Sequence, residues 1–472
     1  MRVLWICNIM LPMVAEYLGL EVNNKEGWLT GLSAAILEHQ GENGIELGVC
    51  FPAVGELADF AGELQVSGIS GQKSRWAERV KMPDREEQRA ERSAVSECDE
   101  QNAGIYAFGF YEDVGRAEVY EEKTETRLRE IMEIFKPDLI HCFGTEFPHT
   151  LAAVKAFDKR ERTLIGIQGL CSIYAKYFRA DLPEHVWRRI TFRDRVKQDD
   201  LRRQHEKYVR RGVYEIEAVQ RAGNITGRTG WDRKYTGEWN PEAKYHFMNE
   251  TLRSNFYDGC WEEASCRKYS VFLSQGDYPI KGLHYMLRAM PAILEEYPEA
   301  EIYVAGNSIV KSAAQKGVSG LKGKLKLESY GKYILQLMKE TGTLSKVHFL
   351  GRLNAEQMKE QYLKSHVFVC PSSIENSPNS VGEAMLLGVP VVCAGVGGVA
   401  DIFADGVDGL LYPAGDVKRL AKAVKIMFAG GERVEGYRRA ERLHAKKTHD
   451  AQKNYERLME IYAEIAGEQK RI

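Results

Sequence analysis

The 472-residue chain is too long for one hydrophobic core, so two or three domains are expected. Lys plus Arg number 65 against 67 Asp plus Glu; the net charge of −2 gives no global reason to bind nucleic acid. No run of 18 apolar residues offers a membrane span, and nine scattered cysteines without a Cys-x-x-Cys pair read as free thiols in a reducing cytoplasm.

The amino terminus runs from Met1 directly into an apolar strand pattern, Arg2–Cys7, without the segments of a secretory signal. Further strands are expected at Ile45–Phe51, Asp138–Phe143, Thr163–Ile167 and Asn224–Thr226. Helical patterns lie between them, at Trp28–Glu38 and at Glu121–Phe135, where Lys136-Pro137 ends the helix. This alternation predicts a parallel sheet with crossover helices. Residues 62–104 break the rhythm with Gly-rich turns and a charged tract from Arg79 to Arg92, and read as an insertion or flap. A basic helical segment follows at about 185–215. From Arg188 to Arg211 it holds ten Lys or Arg against four Asp or Glu, with Trp187, Ile190, Phe192 and Val196 interleaved. A solvated helix face and an anionic-membrane contact both fit it.

The same alternation restarts in the second half. Strands are expected at Val271–Ser274, Glu301–Ala305 and Val347–Leu350, with helices at Gly282–Tyr297 and Ala355–Lys364. Apolar runs His366–Cys370 and Val389–Cys393 flank a short helical pattern, Ser380 to Leu387. Asn255–Cys266 reads as the link between domains, and a closing helical stripe from Tyr455 to Ala466 must dock on an existing surface.

Chemistry concentrates in Glu375-Asn376-Ser377-Pro378-Asn379-Ser380-Val381-Gly382-Glu383. Such a strand-to-helix loop lies at the carboxyl end of a parallel sheet, where ligands bind and where helix N–H groups favour phosphate. A carboxylate on each side can hold the hydroxyls of two sugars. Ser380-x-x-Glu383 is equally a literal capping box. Lys281, at a helix start, is either a solvated lysine or a phosphate partner. Gly397-Gly398 is either a simple turn or a loop near a ligand. Arg228 follows a strand and is either a surface arginine or a cleft cation. His141, His149 and His205 lack metal-ligand spacing.

These blocks resemble the donor domain of glycosyltransferase family 4 (glycosyl transferases group 1), the retaining enzymes of the GT-B fold. The resemblance is carried by Lys281-Gly282, Val304-Ala305-Gly306, Val347 through Leu353, Glu375 through Ala384, Gly388 through Val392, Gly397-Gly398 and Asp405 through Leu411. It covers roughly 150 residues in order and spacing, and the family's glutamate pair falls on Glu375 and Glu383. It implies an α/β molecule of two Rossmann-like domains with parallel sheets facing a central cleft. The acceptor domain would span 1–258, the nucleotide-sugar domain 267–446, and helix 447–472 would pack back on the first domain. It implies catalytic roles for Glu375 and Lys281, and donor binding by Glu383, Asn379, Ser380, Val381, Gly306 and Gly398. Gly27, Gln168 and Arg228 would line the cleft from the first domain.

It further implies a metal-independent, retaining glycosyltransferase without cofactor, moving a sugar from a nucleotide diphosphate sugar to a glycan or lipid-linked acceptor. The setting would be the cytoplasm, at the inner membrane face, in surface polysaccharide or glycolipid synthesis. Four departures stand out. Ser274–Ile280 lacks the arginine usual before the lysine, Pro378 stands where the family often has Gly, Gln168 replaces a histidine, and one glycine, Gly27, stands where the family has two. The missing arginine and Gln168 motivate a competing reading, a non-catalytic transferase-like partner; another nucleotide-sugar enzyme such as an epimerase is a third.

Overall fold

The structure, a computed structural model, describes residues 1–20, 27–67, 75–76, 80–81, 103–307, 309–310 and 327–467. The first half builds one sheet from β1 (Arg2–Ile6), β2 (Glu46–Ala53), β3 (Ala61–Ser67), β4 (Arg75–Trp76), β5 (Val80–Lys81), β6 (Ala103–Tyr111), β7 (Leu139–Phe143), β8 (Thr163–Gly166), β9 (Asn224–Gly227) and β10 (Lys244–Phe247). Its parallel part runs β6-β2-β1-β7-β8-β9-β10. Strands β1 and β7 are buried almost throughout, which suits their near-continuous apolar sequences. Strands β6 and β10 were not expected from the sequence. Lys244–Phe247 is an edge strand with exposed Lys244 and Phe247, so it lacks an apolar run.

The expected insertion at 62–104 needs correction at both ends. Ala61–Ser67 pairs antiparallel with Ala103–Tyr111, so these ends belong to the sheet. The charged tract from Arg79 to Arg92 lies outside the described residues, apart from the short strand Val80–Lys81.

The second half builds a six-stranded parallel sheet from β11 (Arg267–Leu273), β12 (Glu301–Ala305), β13 (Val347–Gly351), β14 (Ser365–Cys370), β15 (Val391–Ala394) and β16 (Leu410–Tyr412). The order is β13-β12-β11-β14-β15-β16, the doubly wound arrangement. Strand order reverses between β11 and β14, so the loops after these two strands open the crevice where ligands bind in such sheets. Lys281 follows β11 and Glu375 follows β14.

The halves are joined by more than a link. Phe178, Leu182, Val186 and Leu201, from the first half, share a core with Ile280, Leu283, Met286 and Tyr330 of the second. The expected link, Asn255–Cys266, is itself packed: Phe256 and Trp261 are buried with Val381, Met385 and Leu386. The closing helix, Ala451–Ala466, lies on the first sheet. There Trp5 Nε1 donates to Tyr462 Oη at 2.8 Å, and Tyr462 Oη lies 2.8 Å from His141 Nδ1. Burial pushes the His141 imidazole down to about 3, so it is neutral and structural.

Helix Glu432–Thr448 carries a buried acid, Glu441, whose two carboxyl oxygens have no hydrogen-bond partner among the described residues. Burial pushes its pKa well above the ordinary value of 4.5, against Arg438 and with Asp408. The folded chain keeps this proton where the unfolded chain releases it. The stabilisation is full below the unfolded value and is lost as pH rises toward the folded one. Glu441→Gln is expected to melt higher than the parent at pH 8 and equally near pH 4.5, as read by differential scanning fluorimetry.

Candidate active site

Glycine brings the β11 and β14 loops together. Gly282 takes φ +72, and a Cβ there would stand 1.9 Å from the Pro371 carbonyl oxygen. This close approach sets the turn Pro279–Lys281 against the end of β14. Lys281 Nζ then reaches Glu375 Oε1 at 2.5 Å, and Ser372 Oγ donates to the same oxygen at 2.7 Å. The solvated-lysine reading of Lys281 is thereby corrected. Burial works against the Lys281 ammonium, but Glu375, Tyr278 and Tyr174 outweigh it and hold the pKa above the ordinary lysine value.

The Gly397-Gly398 loop closes the other side of Glu375. Gly397 has φ +55, and a Cβ would stand 1.8 Å from the Glu375 carbonyl oxygen. Gly398 N donates to that same oxygen at 3.1 Å. The pair is therefore no free turn, since it locks the backbone that presents Glu375.

Helix Asn379–Leu387 begins after Pro378 and has no side-chain cap. Ser380 therefore sits inside the first turn, and the capping box does not form. Glu383 points elsewhere: its Oε1 accepts from Arg253 Nε at 2.9 Å and Nη2 at 2.5 Å, and its Oε2 lies 3.4 Å from Tyr362 Oη. Burial lifts the Glu383 carboxyl and Arg253 pulls it back, with the net direction upward. Of the three expected amide donors, Val381 N is committed to the Pro378 carbonyl at 3.0 Å. Those of Asn379 and Ser380 belong to the first turn, whose N–H groups have no helical acceptor.

Gly306 ends β12 with φ +100, and a Cβ would stand 3.5 Å from Asp277 Oδ1. Asn307 Nδ2 donates to Asp277 Oδ2 at 2.9 Å, and Arg352 Nε donates to Asn307 Oδ1 at 2.8 Å. A carboxylate thus stands in the stretch that lacks the expected arginine, with Arg352 nearby.

From the facing sheet, Arg228 is buried, which corrects the surface-arginine reading. Its Nη2 donates to the Ser377 carbonyl and to Asn379 Oδ1, both at 2.6 Å, and lies 3.1 Å from Glu250 Oε2. Gln168 Nε2 donates to Glu250 Oε1 at 2.7 Å. Thr229 Oγ1 donates to Asn376 Oδ1 at 2.6 Å, and Asn376 Nδ2 reaches Asp232 Oδ2 at 3.1 Å. Gln168, Arg228 and Asn379 therefore meet in one polar network across the cleft. Gly27 opens helix Gly27–Glu38, and residues 21–26 before it lie outside the described residues.

The sequence reading missed Arg253, Glu250 and Glu146. Glu146 follows β7, and its Oε1 accepts from Gly169 N at 3.0 Å. Its Oε2 is a buried atom without a partner among the described residues, and burial raises its pKa. Arg211 Nε donates to the Glu146 carbonyl at 2.6 Å. Position at the carboxyl end of an expected strand was the one signal available for Glu146; Glu250 follows β10, which the sequence did not reveal, and Arg253 carried none.

Residues 262–444 match the family model described as Glycosyl transferases group 1. An uncharacterized glycosyltransferase of Methanocaldococcus jannaschii is 33% identical over 147 residues, 31% of this chain and 32% of that protein. The D-inositol 3-phosphate glycosyltransferase of Geodermatophilus obscurus is 30% identical over 158 residues, 33% of this chain and 32% of its own. The matched stretch thus spans about a third of these relatives' length. Solved structures match over nearly the whole chain. Sucrose-phosphate synthase from Thermosynechococcus elongatus gives a TM-score of 0.62 at 13% identity, covering 99% of this chain and 100% of that one. Anabaena HepE, solved in complex with UDP-glucose, gives 0.60 at 13% identity, covering 98% and 100%. At that identity the likeness establishes the fold: two Rossmann-like domains of the GT-B type.

Proposed function

We propose that this chain, whose residues 262–444 form a glycosyl transferases group 1 domain, is a retaining glycosyltransferase that uses a nucleotide diphosphate sugar. One observation carries the reading: Lys281 and Glu375 meet at the switch point of the second sheet, with Glu383 held in the helix that follows. Lys281 would stabilise the diphosphate as it leaves, when its negative charge grows. Glu375 would bind hydroxyls of the transferred sugar and set its anomeric carbon. Glu383 would accept from the two ribose hydroxyls, beside the amides of Asn379 and Ser380. Gly306 and Gly398 let the donor approach the backbone, and Gln168 and Arg228 shape the facing wall. Transfer would proceed on one face through an oxocarbenium-like transition state, the leaving phosphate taking the acceptor proton. No metal or cofactor enters this scheme.

The test is a screen of UDP- and GDP-sugars by thermal shift, followed by slow donor hydrolysis with the best hit. Stabilisation with hydrolysis supports the reading. Silence toward every donor overturns it and favours a non-catalytic partner, the reading that the arginine-free stretch Ser274–Ile280 motivates.

The acceptor is proposed to be a glycan or lipid-linked hydroxyl, used at the cytoplasmic face of a membrane. No helix among the described residues is long and apolar enough to cross a bilayer. The basic segment instead exposes Ile190, Phe192 and Val196 beside Arg188, Arg195 and Lys197. Each basic residue near an anionic surface contributes about 1 kcal/mol. Changing Arg188, Arg189, Arg202 and Arg203 together to Gln is expected to abolish co-sedimentation with phosphatidylglycerol vesicles. Parent protein that ignores such vesicles would end the membrane proposal.

A further inference from the structure

Asn376, the residue after Glu375, is only 1% exposed. A buried side-chain amide costs stability unless its hydrogen bonds are made. Among the described residues, every hydrogen bond of Asn376 goes to the first half of the chain. Its backbone N donates to Tyr174 Oη at 3.2 Å, and its Oδ1 accepts from Thr229 Oγ1 at 2.6 Å. Its Nδ2 donates to the Gln168 carbonyl at 3.2 Å and to Asp232 Oδ2 at 3.1 Å. A residue of the second half thus sits in a socket built from three places in the first. These are the loop after β8, helix Cys171–Tyr177 and the start of helix Gly230–Trp239.

The socket suits asparagine in particular. Two acceptors, a carbonyl and a carboxylate, face Nδ2, and a hydroxyl donor faces Oδ1. An aspartate here would set a second carboxylate against Asp232 and an oxygen against the Gln168 carbonyl. The socket is also fixed on its own side. Asp232 is 0% exposed, and its carboxylate accepts from Tyr245 Oη at 2.5 Å and from Arg228 N at 3.2 Å. Asp232 N donates to Thr229 Oγ1 at 3.0 Å, which caps the helix and holds the hydroxyl in place.

The peptide group that joins Glu375 to Asn376 is therefore gripped from both halves. Its carbonyl accepts from Gly398 N of the second half at 3.1 Å, and its N–H donates to Tyr174 Oη of the first. A peptide unit is planar, so holding both ends fixes the backbone direction from which the Glu375 side chain leaves.

We infer that Asn376 is a positioning residue: docked in the first half, it lets that half set the backbone that carries Glu375 to Lys281. The inference rests on the transferase reading for its consequence, because the carboxylate so positioned is the one proposed to hold the transferred sugar. Hydrogen exchange read by mass spectrometry tests the docking, and donor hydrolysis tests its effect. Asn376→Ala removes the docked side chain. Tyr174→Phe removes a single oxygen from the other half and keeps the test decisive if the first variant folds poorly. Both are expected to speed exchange of backbone amides 375–380 at least threefold. UDP-glucose, UDP-N-acetylglucosamine and GDP-mannose serve as donors. With one that the parent hydrolyses, kcat is expected to fall at least tenfold in Asn376→Ala and threefold in Tyr174→Phe, while the Kd for UDP or GDP stays within twofold. The double variant should lose no more than Asn376→Ala, since both changes break one link. Unchanged exchange of residues 375–380 in either variant overturns the inference. Parental kcat in Asn376→Ala also overturns it, as does a fall in kcat matched by an equal loss of nucleotide affinity. Faster exchange in both variants, with no donor hydrolysed by the parent, removes the transferase reading and leaves the docking.

Discussion

Lys281→Met is expected to lower kcat/KM with the best donor by about 10²–10³-fold, the effect of removing one preorganised stabilising group from a site of developing charge. Stability should fall as well. Lys281 and Glu375 are partners at 2.5 Å, with side chains 20% and 8% exposed. Breaking a buried pair from one side typically costs about 3–5 kcal/mol, because the remaining charge is left uncompensated. The two losses have to be separated, and the double variant Lys281→Met with Glu375→Gln does so. It removes both charges, so its melting temperature should recover toward the parent while turnover stays lost. Glu375→Gln alone should also abolish turnover, yet leave nucleotide affinity nearly intact, because its proposed contacts are with the sugar. A double variant that regains activity with stability would show the pair to be structural only. Normal turnover in Glu375→Gln would refute its assignment outright.

The part of this site that was legible in the sequence is local. Glu375 stands in the loop between two apolar strand runs, and in a parallel sheet such a loop opens on the crevice. Lys281 read by itself only as a helix-start lysine, and the resemblance supplied its role. Glu383 was locatable for the same reason as Glu375, but its partner was not. Arg253 lies 130 positions away, just before the segment Asn255–Cys266 that reads as a plain linker. Ser380 and Glu383 have the spacing of a capping box, and only the start of the helix at Asn379, two positions after Ser377, shows that the box cannot form. The burial of Phe178, Leu182, Val186 and Leu201 in the second core was hidden too. The segment's dense charge masks a sparse apolar stripe, and the surface it meets is assembled from the other half of the chain. Arg228 shows the opposite error. Its type and loop position suggested exposure, whereas its network with Gln168, Glu250 and Asn379 exists only once both sheets are in place.

Glu383→Gln is expected to weaken UDP or GDP binding by about 10- to 100-fold, since hydrogen bonds to a charged acceptor contribute about 1.5–3 kcal/mol. The pH dependence is the sharper measure. Burial raises the Glu383 pKa, and the Arg253 guanidinium opposes the rise. An ionised carboxylate accepts from two ribose hydroxyls more strongly than the protonated acid does. Parent affinity should therefore fall as pH drops through the Glu383 value. Arg253→Leu removes the opposing cation, so the same fall should begin at a higher pH. Glu383→Gln has no proton to gain at this position, and its residual pH slope reports the titration of the nucleotide's own phosphate. Calorimetric Kd values from pH 5 to 8.5 for the three proteins isolate the carboxylate as the difference from Glu383→Gln. If Arg253→Leu follows the parent curve, the guanidinium does not control the ionisation of Glu383. If parent and Glu383→Gln coincide in both affinity and slope, the ribose lies elsewhere. On the proposed reading Arg253 would act on the donor through this carboxylate, opposing the burial that raises its pKa.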